Sequence, residues 1–308
     1  MKQLFILFLC LASLSLVAQP CTTTNAEGCV CPDGSTECDL IPDIKIAESL
    51  LLDASQNPEV YGQVRISVST PNTGYGPLTV MATNYYVCGT DTFEVEGSNT
   101  QPCPDGSDPR QLITQRVYRK VGNDMTYTDR WAGSMTYHPT HGHMHVDEWA
   151  VFTLREQIVG IDDPLQWPIL AQGSKLGFCL MDFGSCPFYE GHCINDSGEA
   201  LNNPEDFPNY GLGGGDYTCG FFNQGISAGY TDIYHYNLDG MFIDIPSSIC
   251  NGKSCTVTNC QRACNRCVIV SSNRYVTSCC VCVYTKKIIS TRCVSSNSTI
   301  FTNIVSST

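Results

Sequence analysis

The chain has 308 residues, carries 30 acidic side chains against 17 Lys and Arg, and has a formal net charge of −13 at pH 7. An acidic surface repels nucleic acid, so a nucleic-acid-binding protein is not expected, whereas amine-bearing substrates or basic partners fit the charge better. Solubility alone is the other interpretation of that charge. The length allows one sizeable core or two small ones.

Residues 1–18 predict a cleaved signal peptide. Lys2 provides a positive start, the stretch from Leu4 to Val17 is almost wholly apolar, and small residues follow near Ala18. That run is too short and wrongly flanked for a transmembrane helix, and no later stretch is apolar for long enough to span a bilayer. We therefore expect a secreted protein without a membrane span, in an extracellular or periplasmic space.

The cysteine content predicts disulfides formed in an oxidising compartment. The chain has 20 Cys, and one of these, Cys10, leaves with the signal peptide, so an odd number remains and at least one thiol is unpaired or bonded to another chain. Two pairings are local in sequence, Cys88 with Cys103 and Cys179 with Cys186. Residues 19–45 form a Cys-rich N-terminal segment ahead of the main domain.

Residues 46–249 are expected to form one mainly β, disulfide-bonded, sandwich-like domain with long loops. The stretches with a strand-like pattern are Val64–Val68, Leu78–Ala82, Arg116–Tyr118, Trp149–Leu154 and 225–245. Only Ile46–Ser55 and Asp163–Ala171 suggest short helical turns. Residues 195–218 are rich in Asn, Asp, Gly and Pro, which predicts a long loop that is either a weak calcium site or a set of solvated turns.

Residues 250–308 differ in composition from the rest of the chain. They contain nine Cys and seven Lys or Arg but no Asp or Glu, whereas the preceding 249 residues carry all thirty acids. The tail is either a small basic disulfide module of its own or a frameshifted C-terminus. In the second case the sandwich would lack its closing strands and leave a sheet edge open.

Four of the six histidines lie within His138-Pro-Thr-His-Gly-His-Met-His145. His141, His143 and His145 alternate, and in an extended strand alternate side chains share one face. Their rings can converge on one ion only if the chain curves, and Gly142 permits that curvature. Three imidazoles suit copper, zinc, nickel or iron, and an oxidising compartment favours copper or zinc. His138 either orients a ligand or is only a neighbour.

Three ordered blocks resemble the lysyl oxidase family. Tyr137–Trp149 resembles its copper-binding segment. Gly173–Asp182 is similar to Gly-His-Lys-x-x-Phe-Cys-Leu-x-Asp, and Gln224–Tyr234 to Gln-Gly-Leu-Ser-Pro-Gly-x-x-Asp-x-Tyr. The match covers about 130 to 245, and it is the order of the three blocks, rather than any single block, that makes it specific.

The resemblance implies a copper amine oxidase, a divergent protein-lysine oxidase that converts primary amines to aldehydes with O₂ and releases H₂O₂ and ammonia. The copper ligands would be His141, His143 and His145. Lys175 and Tyr234 would be the precursors of lysine tyrosylquinone, the built-in cofactor. Asp232 would steer the quinone, serve as the base, or simply pair with a backbone turn. The substrate would be a primary amine or a lysine-bearing protein.

Several departures from the family pattern bear on this expectation. Thr140 replaces a family Cys whose usual partner position falls on Cys219, so Cys219 would pair elsewhere, for example with Cys193. A family His that has been assigned as the base aligns with Val151 or Phe152, which leaves the base unidentified. The tail matches nothing in the family.

Three other functions are compatible with the same sequence. A secreted copper- or zinc-binding protein without a quinone would keep Lys175 and Tyr234 unmodified. A zinc hydrolase would use a metal-bound water and an acid such as Glu148. A structural matrix protein, crosslinked through its cysteines, would not need the histidines at all.

Overall fold

The structure is a computed structural model. It describes residues 20–47, 50, 63–156, 158, 160–161, 163–173, 175, 177–245, 255–260, 267–272 and 275–285, the last three ranges as backbone strands. The predicted signal peptide and most of the predicted helical turn Ile46–Ser55 lie outside these residues. Among the described residues, no helix has the length and apolar character needed to cross a membrane.

The described chain is mainly β, as the sequence predicts, and it also contains short 3-10 turns. The strands are β1 (Glu37–Leu40), β2 (Gln63–Arg65), β3 (Val68–Pro71), β4 (Leu78–Cys88), β5 (Asp91–Glu94), β6 (Arg110–Val121), β7 (Asp124–His138), β8 (His143–Val146), β9 (Ala150–Glu156), β10 (Ile169–Gln172), β11 (Gly184–Ser185), β12 (Asn223–Ile226), β13 (Tyr230–Tyr234), β14 (Phe242–Asp244), β15 (Cys255–Cys260), β16 (Cys267–Ser272) and β17 (Tyr275–Thr285). The 3-10 turns are Pro164–Gln166, Cys186–Phe188 and Pro204–Asp206.

These strands form four sheets. The largest has the order β12-β4-β6-β7-β8, with β1 also paired to β6 and β5 to β4. A second sheet has the order β10-β9-β17-β16-β15, a third β11-β13-β3, and a fourth pairs β14 with β2. Every pairing is antiparallel. The tail therefore contributes three strands, and its β17 lies beside β9.

One buried apolar cluster joins all four sheets, as the facing layers of a sandwich do. It contains Val64 of β2, Val68 of β3, Leu78 of β4, Ile113 of β6, Met135 of β7, Val146 of β8, Phe152 of β9, Ile226 of β12 and Ile243 of β14. Strand β6 buries alternate side chains along most of its length, as a strand with one face in the core does. The sequence pattern also located β4 and β9, whose apolar residues are buried more continuously. The N-terminal Cys-rich segment packs separately, through Ala26 and Leu40, against Leu212 and Ala228.

The helical turn predicted for Asp163–Ala171 is wrong in its second half. Pro164–Gln166 forms a 3-10 turn, but Ile169–Gln172 is strand β10, which pairs with β9. Ladder hydrogen bonds to an existing strand outweigh the weak local pattern there. The long loop predicted at 195–218 is confirmed, with only the 3-10 turn Pro204–Asp206 inside it.

Five disulfides are described: Cys21–Cys29, Cys31–Cys38, Cys88–Cys103, Cys179–Cys219 and Cys186–Cys193. They are compatible with an extracellular protein. The predicted Cys88–Cys103 bond is confirmed. The predicted Cys179–Cys186 bond and the suggested partner Cys193 for Cys219 are both wrong. The backbone N–H of Leu180 donates to the side chain of Gln224, which brings the chain preceding β12 beside Cys179.

Candidate active site

The histidine motif forms the hairpin that joins β7 to β8. His138 ends β7 and pairs directly with His143, the first residue of β8. Between them the chain reverses, with the N–H of Gly142 donating to the carbonyl of His138 at 2.8 Å. Gly142 has φ +72, which glycine adopts without strain. The expected curvature is therefore a full turn, and His141 lies in that turn rather than on an extended strand.

This hairpin gathers four imidazoles. His138, His143 and His145 share one face of the β7–β8 pair, because His145 is opposite Thr136 and His143 is opposite His138. His141 folds over them from the turn. The Nε2 atoms of His143 and His145 are 3.0 Å apart, and Nδ1 of His141 is 3.5 Å from Nε2 of His145. His145 is therefore the centre of the cluster.

These separations fit a common metal ion. Two imidazole nitrogens that bind one ion at about 2.0–2.1 Å lie roughly 2.9–3.4 Å apart for tetragonal or tetrahedral angles. One ring nitrogen each of His138, His141 and His145 also lies within 4.8 Å of the others. His143 is equally close to the sulfurs of Cys179 and Cys219, but these are bonded to each other and are not available as thiolate ligands.

The environment of the cluster favours neutral imidazoles, the form that binds metals. Burial, with a smaller contribution from Lys175 and from the neighbouring rings, lowers the pKa of His145 to about 3. Burial also lowers the pKa of His138 and His143, where the charge of His141 adds to the effect. The rings can therefore lie close together without mutual charge repulsion at neutral pH.

The carboxylate next to the cluster is already engaged. Asp147 accepts hydrogen bonds from the hydroxyls of Ser134 at 2.6 Å and Thr136 at 3.1 Å. Burial raises its pKa, and these two bonds oppose the rise. Glu148 is exposed and has φ 52, an uncommon conformation for a residue other than glycine. Asp147 therefore connects its segment to β7, and its carboxylate is occupied by these two hydrogen bonds.

The segment that carries Lys175 lies directly against β8. Phe178 and Val146 exchange two backbone hydrogen bonds, of 2.7 and 3.1 Å. Gly177 packs so closely that a Cβ there would lie 3.1 Å from the Cβ of His145. The absence of a side chain at 177 therefore allows the Lys175 segment to lie beside the histidine hairpin.

Lys175 and Tyr234 meet across Phe178, although they are 59 positions apart in sequence. The Nζ of Lys175 lies 5.5 Å from the centroid of the Tyr234 ring and 5.1 Å from that of Phe178. Phe178 and Tyr234 make an edge-to-face contact with centroids 4.9 Å apart. The hydroxyl of Tyr234 donates to the carbonyl of Cys179 at 2.6 Å. The Tyr234 ring is therefore held in place while the Lys175 side chain faces it.

Burial dominates the electrostatics of this pair. It lowers the pKa of Lys175, whereas the nearby charges of Asp239 and Asp232 oppose that shift. It raises the pKa of Tyr234, and the charge of Asp232 acts in the same direction. Lys175 is therefore closer to its neutral, nucleophilic form than a solvated lysine would be.

Asp232 is on the same face of β13 as Tyr234 and is only 1% exposed. Neither carboxylate oxygen has a hydrogen-bond partner of normal geometry within the described residues. Burial raises its pKa well above the ordinary value, and the backbone amides of Ile233 and Met181 nearby only partly oppose the rise. The carboxyl group is thus protonated at pH values where an ordinary aspartate is ionised.

The predicted site residues are close together: the imidazole cluster, Lys175, Tyr234 and Asp232. His192 stacks on Tyr189 instead, and Phe152, one of the two positions aligned with a family base, is a buried core residue. The motif comparison assigned no role to Gln224. Its side chain connects all three blocks, and its place at the start of the third block was the only sequence signal.

The chain was also compared with protein-family models, with curated proteins and with solved structures, and no match was found in any of the three comparisons.

Proposed function

We propose that the protein is a copper-dependent amine oxidase that oxidises primary amines, among them lysine side chains of proteins, with a cofactor made from Lys175 and Tyr234. The observation that supports this most strongly is the approach of the Lys175 Nζ to the Tyr234 ring, 5.5 Å from its centroid, beside a cluster of imidazoles. Neither a lysine nor a tyrosine needs the other as a neighbour for the fold to be stable. A half-buried lysine that faces a half-buried tyrosine beside a cluster of imidazoles is the arrangement that cofactor formation needs.

The residues present fit both groups. The nitrogens of His141, His143 and His145 have the separations of ligands to one ion. The four-carbon stem of Lys175 is flexible enough to bring Nζ within a bond length, about 1.45 Å for a single C–N bond, of a Tyr234 ring carbon. When bound, copper would supply the electron transfer to O₂ that oxidises the Tyr234 ring, and the mature quinone would supply the carbonyl that captures an amine.

The covalent step balances with O₂ as the oxidant. The Tyr234 ring takes up one oxygen atom, a bond forms between the Lys175 Nζ and a ring carbon, and the hydrogens lost leave as water and hydrogen peroxide. In turnover an amine, O₂ and water give an aldehyde, ammonia and hydrogen peroxide.

The chain's own residues have distinct roles in this scheme. Cys179, through its carbonyl, fixes the ring of Tyr234, and Phe178 separates Lys175 from the core. Asp232 holds a proton next to Tyr234 without contact with bulk water. The acidic surface, with a formal net charge of −13, attracts a cationic substrate.

The test is peptide mapping of the full chain expressed with copper. We expect a crosslinked Lys175–Tyr234 peptide that is lost in Tyr234→Phe and in Lys175→Arg, together with peroxide release when a lysine-bearing peptide is added. Tyr236→Phe is the matched control, since it removes a hydroxyl from a nearby tyrosine and leaves the crosslink intact. Unmodified Lys175 and Tyr234 in folded, copper-loaded protein would contradict the proposal.

The second candidate is a copper- or zinc-binding protein without a quinone. It is favoured by one observation, namely that the histidine nitrogens have ligand separations whatever Lys175 and Tyr234 do. Metal bound in the absence of the crosslink would support it. A zinc hydrolase would require in addition an activity that does not depend on O₂ and that is lost in Glu148→Gln.

A further inference from the structure

We propose that His138 binds the metal ion directly. Together with His141, His143 and His145 it would form a set of four imidazoles that favours Cu(II). The inference rests on the metal-binding part of the proposed function and not on its quinone. It concerns a residue that the sequence could describe only as an orienting neighbour or a bystander.

The position of His138 comes from strand register. His138 is directly opposite His143 in the β7–β8 pair, so their side chains leave the same face as direct cross-strand neighbours. Its ring centroid lies 4.4 Å from that of His141 and 4.8 Å from that of His145. A ring nitrogen of His138 lies within 4.8 Å of nitrogens on both. Atoms bound on opposite sides of one ion at about 2.0–2.1 Å would be about 4.1 Å apart, so the nitrogens need to approach one another by no more than about 0.7 Å to share one ion.

The hydrogen bonding of His138 also indicates a ligand. Its Nδ1 is buried and has no hydrogen-bond partner within the part of the chain that the structure describes. A buried polar atom without a partner is unfavourable unless an ion or another group satisfies it. A metal ion in the cluster would provide that partner.

An orienting role fits the geometry less well. A residue that orients a ligating histidine accepts a hydrogen bond from the ring N–H, in the plane of that ring. His138 instead stacks on His141 with only 24° between the ring planes, a face-to-face arrangement in which no in-plane hydrogen bond can form. Two imidazoles that bind one ion side by side can stack in this way, and a set of four nitrogens would suit Cu(II).

The experiment uses the full chain, freed of metal and titrated with Cu(II) up to one equivalent. Electron paramagnetic resonance then counts the coupled nitrogens, and a competing chelator gives the affinity. We expect four nitrogens in the unmodified protein. We expect three in His138→Gln, with an affinity at least tenfold lower and a changed copper hyperfine splitting. His235→Gln is the matched control, which removes one exposed histidine from the C-terminal side of β13 and leaves spectrum and affinity unchanged.

If His138→Gln folds poorly, His138→Met offers a substitution of similar volume, and the nitrogen count of the unmodified protein stands without any variant. Three nitrogens in the unmodified protein, or a wild-type spectrum in a folded His138 variant, would overturn the inference. Failure of the unmodified protein to bind copper would overturn it too. Four nitrogens without a Lys175–Tyr234 crosslink would support His138 as a ligand and contradict the quinone mechanism. Failure of the ligand assignment and failure of the quinone mechanism are therefore distinguishable.

Discussion

The side-chain amide of Gln224 donates a 2.8 Å hydrogen bond to the backbone carbonyl of Met144, the residue between His143 and His145. The same amide donates to Gly220 at 3.0 Å, and its oxygen accepts from the N–H of Leu180 at 2.9 Å. One buried side chain therefore connects the histidine hairpin to the segment that carries Lys175. Leu180 in turn follows Cys179, whose carbonyl holds Tyr234.

Replacing Gln224 by Leu should be strongly destabilising. The variant keeps the volume but leaves backbone groups of Met144 and Leu180 buried and unpaired, at about 1–3 kcal/mol each. We expect the free energy of unfolding to fall by about 2–4 kcal/mol in urea titrations, and copper affinity to fall as well. The matched control is Gln115→Leu, because Gln115 is equally buried but its side chain has no hydrogen-bond partner within the described residues. That variant should be neutral or stabilising, and equal losses in both would refute this account of Gln224.

Replacing Gly177 by Ala should weaken metal binding more than it weakens the fold. The added Cβ would lie 3.1 Å from the Cβ of His145, so the imidazole or the Lys175 segment must shift by a few tenths of an ångström. We expect copper affinity to fall by about tenfold or more, which is the scale seen when residues that position a ligand are disturbed. Isothermal titration with the metal measures it.

The control for Gly177 is Gly173→Ala. Its added Cβ would meet Phe152 at the same 3.1 Å, in the core and without a contact to a histidine. We expect a similar loss of thermal stability in both variants but a loss of metal affinity only in Gly177→Ala. Equal metal affinity in the two would mean that the contact with His145 has no role in the site.

Removal of the two disulfides around the site should have unequal effects. Cys179–Cys219 closes a separation of 40 residues and Cys186–Cys193 one of 7. Loss of loop-closure entropy in the unfolded chain then predicts a stabilisation of about 4 kcal/mol by the first disulfide and about 2.4 kcal/mol by the second. Paired alanine substitutions, compared by thermal unfolding, should therefore lower the melting temperature more for the 179/219 variant. A larger loss for the 186/193 variant would show that native packing outweighs chain entropy here.

Ionisation of the Asp232 carboxyl group should lower the free energy of unfolding as the pH rises. Its folded-state pKa is raised above the ordinary 3.8 because both oxygens are buried without partners of normal geometry. The folded state therefore retains the proton at pH values where the unfolded state has lost it. The free energy of unfolding must decrease with pH between 3.8 and the raised value. In Asp232→Asn this decrease should be absent. Urea titrations at several pH values test it, and parallel profiles for the two proteins would contradict it.

The sequence predicted the parts of the site that depend on local pattern. The alternation of His143 and His145 predicts a shared strand face, and their burial beside β7 follows the same period. The sequence alone could not show that His138 lies beside the other histidines, because the position of His138 depends on the strand register across the turn at Gly142. Nor could it pair Cys179 with Cys219, since the contact forms only when Gln224 draws β12 against the segment of Leu180. The approach of Lys175 to Tyr234 came from resemblance alone, because no spacing rule joins residues so far apart.

The histidine cluster and the Lys175–Tyr234 pair differ in the sequence separation of their residues. The four imidazoles lie within one hairpin of eight residues, so their contacts are local and close only a short loop. Lys175 and Tyr234 meet only after β13 and the Phe178 segment have docked, which requires contacts of high sequence separation. The hairpin can therefore capture a metal ion early in folding, while Tyr234 is still far from Lys175. Under the proposed function, this order of folding would keep an oxidising ion away from Tyr234 until Lys175 is in place.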